Sequence, residues 1–167
     1  SKVKRPFTFV YLSNLVPSKG INIFLDSIEL LNKKNLIFKA KIIGKSSDNK
    51  FLNKIKKRIN KIDNVKYMGP LYGKKKFLEL SKSDVFVLPT SYTNENFPVS
   101  ILESMSSSVP VIAPKIGGIP NIVDHNKNGF LIGTNISKNY SKYMEIYIRK
   151  KKMHKKHKIN AKKKWQK

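Results

Sequence analysis

The feature that most constrains the fold of this chain is an alternation of short apolar runs with longer amphipathic segments. Runs rich in β-branched and aromatic residues are typical of buried strands, and they occupy residues 7–12, 38–43, 65–68, 85–88 and 109–113. Between the first two runs, apolar residues recur at spacings of three and four, which places them on one face of a helix: Ile21, Phe24, Leu25, Ile28 and Leu31. A strand is therefore followed by a helix from the beginning of the chain.

The same alternation continues through most of the sequence. A second helix is predicted where the apolar residues face one side and the Lys and Arg residues between them face water; its apolar set is Phe51, Leu52, Ile55, Ile59 and Ile62. Helical patterns also cover residues 74–81 and 99–107. Strands that alternate with helices across short loops imply parallel strands with right-handed crossovers and helices on both faces. The predicted fold is an α/β, doubly wound, Rossmann-like parallel sheet.

Domain size and loop position indicate where a ligand would bind. At 167 residues the chain is of one-domain size. We predict the sheet domain over residues 1–137 and, over residues 138–167, a C-terminal helix that becomes a frayed basic tail. Ligands of doubly wound sheets bind beyond the carboxyl ends of the strands. The loops after the predicted strands, residues 13–20, 44–48, 89–98 and 114–120, are therefore the candidate site.

The net charge of +25 invites a nucleic-acid interpretation. Residues 138–167 contribute +12 of that charge, because they hold thirteen of the Lys and Arg residues and one Glu. The rest of the chain is rich in Lys, Asn and Ile together, which a general compositional bias explains as well as an anionic partner does. Compositional bias, an anionic membrane surface and nucleic acid all remain open as explanations. Nucleic acid ranks last among them, because the sequence offers no aromatic stacking platform and no recognition-helix pattern.

Several classes of site are excluded by composition. The chain contains no cysteine, so disulfides, thiolate metal sites and a Cys nucleophile are excluded. No phosphate-loop motif, dinucleotide fingerprint or Asp-x-Asp pair occurs, and we expect no metal and no cofactor. No apolar stretch of about 18 residues is present, and the first six residues lack the apolar core of a signal peptide. We therefore expect a cytoplasmic protein.

The segment from Glu95 to Glu103 carries the chemistry. Pro98 suits the first turn of a helix, so the backbone N–H groups that follow it point outward without partners and attract phosphate. Glu103 lies just over one turn later and suits a pair of vicinal hydroxyls, whereas Glu95 precedes the helix and suits a hydroxylated group beyond the phosphates. Taken as two isolated glutamates, both would be assigned to the solvated surface. The spacing nevertheless matches a ligand composed of a nucleoside, a diphosphate and a sugar.

A family resemblance favours the interpretation of that segment as a binding site. The pattern Glu-x-Phe-Pro-x-Ser-x-x-Glu-Ser-Met, followed by Val-Pro-Val-Ile-Ala and Gly-Gly-Ile-Pro-Asn-Ile-Val, resembles the donor-binding motif of family-4 (group 1) glycosyltransferases with the GT-B fold. The loop Ser-Asn-Leu-Val-Pro-Ser-Lys-Gly at residues 13–20 is similar to the Gly-Arg-Leu segment of that family, which ends in Lys-Gly. The resemblance covers residues 8–132 and implies the C-terminal, nucleotide-sugar-binding half of a retaining enzyme.

The resemblance also implies roles for single residues. Glu95 would contact the donor sugar or support charge at the reacting carbon, Glu103 would bind the ribose hydroxyls, and Lys19 would neutralise the leaving diphosphate. The backbone between the two glutamates would hold the sugar hydroxyls and the diphosphate; its residues are Asn96, Phe97, Pro98, Val99 and Ser100.

Two positions depart from the family pattern. Asn14 stands where the family has an arginine, and an amide cannot offset charge. Asn96 stands where the family usually has glycine. The departure at Asn14 puts more of the charge stabilisation on Lys19, whereas Asn96 is expected to keep the loop, because Asn tolerates left-handed backbone angles better than most residues.

Weaker candidates complete the predicted donor site. Gly44 resembles a family glycine that lets the donor approach, although a plain turn glycine fits almost as well. Leu71 and Tyr72 match the loop that meets the base. Gly117 and Gly118 would permit close approach near the donor. The histidines, His125, His154 and His157, lie in a polar turn or in the basic tail and have no catalytic setting.

The resemblance implies a nucleotide sugar as donor and a glycan or lipid-linked acceptor, in surface polysaccharide synthesis. It implies a missing N-terminal acceptor-binding domain, without which the fragment is expected to be inactive. The membrane alternative would place the enzyme at the inner face of the membrane, where lipid-linked acceptors reside. The alternatives that stay open are a basic nucleic-acid-binding module, a nucleotide-sugar epimerase and a glycogen synthase relative.

Overall fold

The described part of this chain contains a sheet of six parallel strands. The computed structural model describes residues 4–94 and 98–167. The strands are β1 (Phe7–Leu12), β2 (Phe38–Ile43), β3 (Val65–Gly69), β4 (Val85–Val87), β5 (Val111–Pro114) and β6 (Gly129–Ile132). Their order across the sheet is β3-β2-β1-β4-β5-β6. The direction of winding therefore reverses between β1 and β4, which is the position where doubly wound sheets open a crevice.

Six helices flank the sheet within the described residues: α1 (Ile21–Asn32), α2 (Asn49–Ile59), α3 (Gly73–Ser81), α4 (Val99–Ser106), α5 (Ser137–Arg149) and α6 (Lys151–Trp165). One apolar core packs α1, α2 and α5 against one face of the sheet, and a second core packs α3 and α4 against the other. The start of α2 has a local signal: the Asp48 carboxylate caps the helix by accepting a hydrogen bond from Phe51 N at 3.0 Å. The predicted doubly wound α/β sheet is confirmed.

Most predicted elements are present with small shifts. Strand β5 begins at Val111 and not at 109, and α2 ends at Ile59, although Ile62 remains buried just after it. The sequence pattern missed β6. That strand begins at Gly129, where an added Cβ would lie 2.1 Å from Val111 O, so only glycine allows the strands to pack this closely. In a sequence, however, a glycine usually indicates a turn, and the strand was therefore not predicted.

The predicted frayed tail is wrong. Residues 138–167 belong to two helices, and α6 packs against α4 and α5. Its inner face consists of His154, His157 and Ala161, which are buried at helical spacings of three and four. The lysines of α6 occupy the outer face, so the charge follows the amphipathic pattern of a packed helix.

The two buried histidines connect α6 to the amino end of β4 and to α5. His154 Nε2 donates to Asp84 O at 2.7 Å, just before β4. His157 Nδ1 lies 2.7 Å from the Tyr147 hydroxyl on α5. In the described part of the chain, no helix is both long enough and apolar enough to cross a bilayer.

Buried neutral histidines make the stability of this fold depend on pH. Burial lowers the pKa of His154 and His157 below the ordinary histidine value of about 6.5. Below that pH the unfolded chain binds protons that the folded chain excludes, so the free energy of unfolding decreases as pH falls.

We expect urea unfolding to show a decline in stability from pH 7.5 to pH 5. Replacing His154 and His157 by Gln should flatten the decline, whereas His125→Gln, at an exposed histidine, should leave it. An equal slope in all three proteins would contradict this assignment.

Candidate functional site

A cleft of about 300 Å³ opens at the carboxyl ends of β1, β2 and β3, beside the first turn of α4. Its walls come from four segments of the chain that lie far apart in sequence. The lining residues are Leu12, Ser13, Asn14, Lys19, Ile43, Gly44, Lys45, Pro70, Leu71, Tyr72, Lys76, Ser100 and Glu103. The cleft thus lies at the reversal of strand order, on the side where sheets of this type bind ligands.

The loop after β1 forms the central wall. It begins beside β2, because Ser13 N donates to Ile43 O at 3.2 Å and Leu15 N donates to Lys45 O at 2.8 Å. The fully buried Tyr11 places its hydroxyl within 3.2 Å of Asn14 O and 3.1 Å of Lys19 O. One buried side chain therefore sets the curvature of the loop that carries Asn14 and Lys19.

The end of this loop meets the segment after β4. Gly20 has a φ of +80°, and an added Cβ there would lie 1.9 Å from Pro89 O. Ser18 O accepts a hydrogen bond from Ser91 N at 2.8 Å. The close approach needs a glycine, and it brings the segments on either side of the strand reversal together.

Residues at and just before the start of α5 hold the segment after β4 in place. Asn135 Nδ2 lies 3.3 Å from the carbonyl oxygens of both Pro89 and Thr90, and Tyr140 donates its hydroxyl to Asn135 Oδ1. Burial raises the pKa of Tyr140, so the phenol remains protonated and keeps its donor. The segment therefore leaves β4 in a fixed direction.

Gly44 allows the loop after β2 to touch the loop after β1. An added Cβ at Gly44 would lie 1.9 Å from Ser13 O. Gly44 N donates to Gly69 O at 3.0 Å, and Gly44 O accepts from the Tyr67 hydroxyl at 2.7 Å. Partial burial raises the pKa of Tyr67, which preserves that donor. Both backbone groups of Gly44 are therefore bonded, and its place in the cleft wall is set by the backbone.

Helix α4 contributes Ser100 and Glu103 to the opposite wall. The helix begins after Pro98, whose carbonyl accepts from Ile101 N at 3.0 Å. The N–H groups ahead of Ile101 in this turn, those of Val99 and Ser100, have no acceptor within their own helix and are available to an anion. Glu103 Oε1 accepts a hydrogen bond from Lys76 Nζ at 2.6 Å, and both side chains are about one-fifth exposed.

Positive charge predominates among the described residues that line the cleft. They include three lysines, Lys19, Lys45 and Lys76, and one carboxylate, Glu103. Lys19 Nζ lies 4.6 Å from the centre of the Tyr92 ring, in a cation–π contact. Lys19 was predicted as a site residue from the sequence, whereas Lys45 and Lys76 were not. Lys45 is the second residue after the predicted strand 38–43, so its position was a usable signal. The meeting of Lys76 with Glu103 depends on the packing of α3 beside α4.

The structure brings most predicted site residues into one place. Those that line the cleft are Asn14, Lys19, Gly44, Leu71, Tyr72, Ser100 and Glu103. Pro98 is buried at the start of α4, and Val99 is exposed; neither lines the cleft. Glu95, Asn96 and Phe97 lie outside the described residues. Gly117 and Gly118 are absent from the lining of the cleft as the structure describes it.

The histidines have structural surroundings. His125 is exposed and accepts a hydrogen bond at Nδ1 from Leu131 N at 3.0 Å, while His154 and His157 lie on the buried face of α6. Within residues 4–94 and 98–167, no group of three or more His, Asp or Glu side chains is arranged to hold a metal ion.

Comparison with known proteins assigns the chain to a family. A sequence model described as glycosyl transferases group 1 matches residues 1–164. The UDP-Gal:alpha-D-GlcNAc-diphosphoundecaprenol alpha-1,3-galactosyltransferase of Escherichia coli is 31% identical over 136 residues, which cover 79% of this chain and 34% of that protein. The chain spans about a third of the length of the curated relatives it matches.

Solved structures share the fold. HepE of Anabaena, crystallised with UDP and glucose, matches with a TM-score of 0.84 and 22% identity, over 96% of this chain and 43% of that one. The C-terminal domain of a group 1 protein (LpcC) from Francisella tularensis matches with a TM-score of 0.82 and 21% identity, over 95% of this chain and 83% of that one. The shared fold is the C-terminal half of the GT-B architecture.

The close approach at Gly44 can be tested by adding one methyl group. Gly44→Ala should lower the free energy of unfolding by about 1–3 kcal/mol, because the new Cβ overlaps Ser13 O and the two loops must separate. Gly133→Ala is the matched control, since a Cβ there meets nothing within 4 Å and should change stability by about 0.5 kcal/mol or less. Urea unfolding measures both. Equal stability of the two variants would show that the loops do not touch as described.

Proposed function

The chain belongs to the group 1 glycosyltransferases, and we propose that its cleft binds a nucleoside diphosphate sugar as the donor for retaining glycosyl transfer. The observation that carries the proposal is the meeting of Lys19, Lys45, the first turn of α4 and Glu103 around one cleft at the strand reversal. These groups suit different parts of one donor. Cations and helical N–H groups suit the diphosphate, and a carboxylate suits the vicinal hydroxyls of a ribose.

The Lys76 contact supports the role proposed for Glu103. Lys76 engages Glu103 Oε1, and this ion pair holds the carboxylate against the cleft wall. The second oxygen, Oε2, is then the acceptor for ribose hydroxyls. An oriented carboxylate costs less entropy on binding than a mobile one, so Lys76 would act by positioning Glu103.

In the proposed reaction, the bond between the anomeric carbon and the diphosphate oxygen breaks, and a bond to an acceptor oxygen forms on the same face of the sugar. Negative charge grows on the leaving diphosphate as its bond breaks. Lys19, Lys45 and the first turn of α4 would stabilise that charge, and fixed donors contribute most where charge develops. The acceptor hydroxyl gives up its proton to the departing diphosphate oxygen, which lies on the same face of the sugar. Glu95, which the family resemblance places near the sugar, lies outside the described residues.

The acceptor side belongs to the rest of the proposed enzyme. The E. coli relative acts on a diphosphoundecaprenol-linked sugar, and we propose a glycan or lipid-linked acceptor for this protein also. The chain spans about a third of such relatives. It should therefore bind donor weakly and transfer little sugar, because positioning of the acceptor accounts for a large part of the rate in a two-substrate reaction. The cations of the cleft are lysines, so donor binding should not require a divalent metal.

Calorimetric titration with UDP-, GDP- and ADP-sugars tests the proposal. We expect one base class to bind in the micromolar to millimolar range, with and without EDTA. Glu103→Gln should weaken that binding about tenfold or more, since hydrogen bonds to a charged group contribute about 1.5–3 kcal/mol.

The matched control is Glu79→Gln. Glu79 is also a partly buried carboxylate paired to a lysine, Lys41, at 2.9 Å, but it lies outside the cleft. Its replacement should leave donor affinity unchanged. No binding of any donor at millimolar concentration, or equal effects of the two variants, would contradict the donor-site assignment.

A further inference from the structure

Among the three lysines of the cleft, Lys45 differs in its partners. Lys76 is paired with Glu103 at 2.6 Å, and Lys19 lies over the Tyr92 ring at 4.6 Å. The Lys45 side chain is exposed and, across the part of the chain that the structure describes, takes part in no ion pair, side-chain hydrogen bond or ring contact. Lys45 can therefore turn toward an anion without first breaking an ion pair in the cleft wall.

The backbone holds Lys45 beside Asn14. The Lys45 carbonyl accepts from Leu15 N at 2.8 Å, and Gly44 closes the same contact one residue earlier against Ser13 O. Lys45 and Asn14 line the cleft together, and they also share a smaller adjoining recess of about 110 Å³. Their relative position is thus independent of any side-chain contact, and a cation on either residue would face the same space.

The two residues differ in what they offer an anion. The Asn14 amide can donate a hydrogen bond but carries no charge, whereas the Lys45 ammonium offers a full charge on a flexible four-carbon stem. A diphosphate needs more than one cation to offset its charge. Lys76 is already paired with Glu103 at 2.6 Å, and that carboxylate offsets the charge that Lys76 could offer a diphosphate.

We propose that Lys45 is a diphosphate-binding residue of this cleft and that it supplies, from the loop after β2, the positive charge that Asn14 does not supply from the loop after β1. This inference rests on the proposed function. It assigns the leaving diphosphate two lysines, Lys19 and Lys45, one on each of two loops joined by Gly44. The second positive charge thus comes from the loop after β2, which Gly44 holds against the loop after β1.

The test compares affinities for UDP, GDP and ADP with those for the uncharged nucleosides uridine, guanosine and adenosine, by calorimetry at two salt concentrations. Lys45→Met should weaken the diphosphate that binds best by about tenfold and reduce the salt dependence of its binding, with little change for the matching nucleoside. Lys115→Met is the control. Lys115 is likewise an exposed lysine just beyond the carboxyl end of a strand, β5, but it lies outside the cleft, and its replacement should change nothing.

A charge exchange makes the test specific. Adding Asn14→Arg to Lys45→Met should restore most of the lost affinity, because the two positions face the same space. If Lys45→Met behaves like Lys115→Met, if the nucleoside loses as much affinity as the diphosphate, or if Asn14→Arg restores nothing, the assignment of Lys45 is overturned. If the unaltered chain binds none of the three diphosphates, the proposed function itself fails, so the two failures are distinguishable.

Discussion

The site depends first on the backbone contact between the loop after β1 and the segment after β4. Gly20 lets the two approach so closely that a Cβ would lie 1.9 Å from Pro89 O, and Ser18 O accepts from Ser91 N at 2.8 Å. Because the order of strands reverses between β1 and β4, successive crossovers carry the chain away from this point in opposite directions. The contact joins the segments there, and so fixes the position of the wall that carries Lys19 relative to Pro89 and Ser91.

Charge in the cleft is divided by the fold. The only carboxylate among the described lining residues, Glu103, is held by Lys76 from α3, and two further lysines, Lys19 and Lys45, line the cleft from loops. This arrangement separates the part of the cleft that accepts hydrogen bonds from the part that attracts anions. A ligand that combines vicinal hydroxyls with a diphosphate matches both parts.

The sequence predicted the elements that follow hydrophobic periodicity, and it failed where packing overrides that signal. The run at 38–43 and the helix face of Phe24 and Ile28 were predicted correctly, because burial on a sheet or a helix leaves a period of two or of three to four. Strand β6 was missed because it begins at Gly129. The C-terminal stretch was mistaken for a basic tail because the lysines obscured the buried stripe of His154, His157 and Ala161. In the site, motif order predicted Glu103 and Gly44 as cleft residues, but the ion pair of Glu103 with Lys76 joins two helices and has no local signal.

The most direct test of the central claim is nuclear magnetic resonance mapping of UDP, GDP and ADP on the isotope-labelled chain. A donor-binding cleft predicts saturable shifts at the backbone amides of Asn14, Gly44, Leu71 and Glu103 for one of the three nucleotides. Glu103→Gln should raise the nucleotide concentration that produces half of those shifts about tenfold, and the shifts should persist at moderate salt. Shifts that are instead spread over the exposed lysines of α6, equal for all three nucleotides and abolished by salt, would mean that the chain is only a basic surface for polyanions.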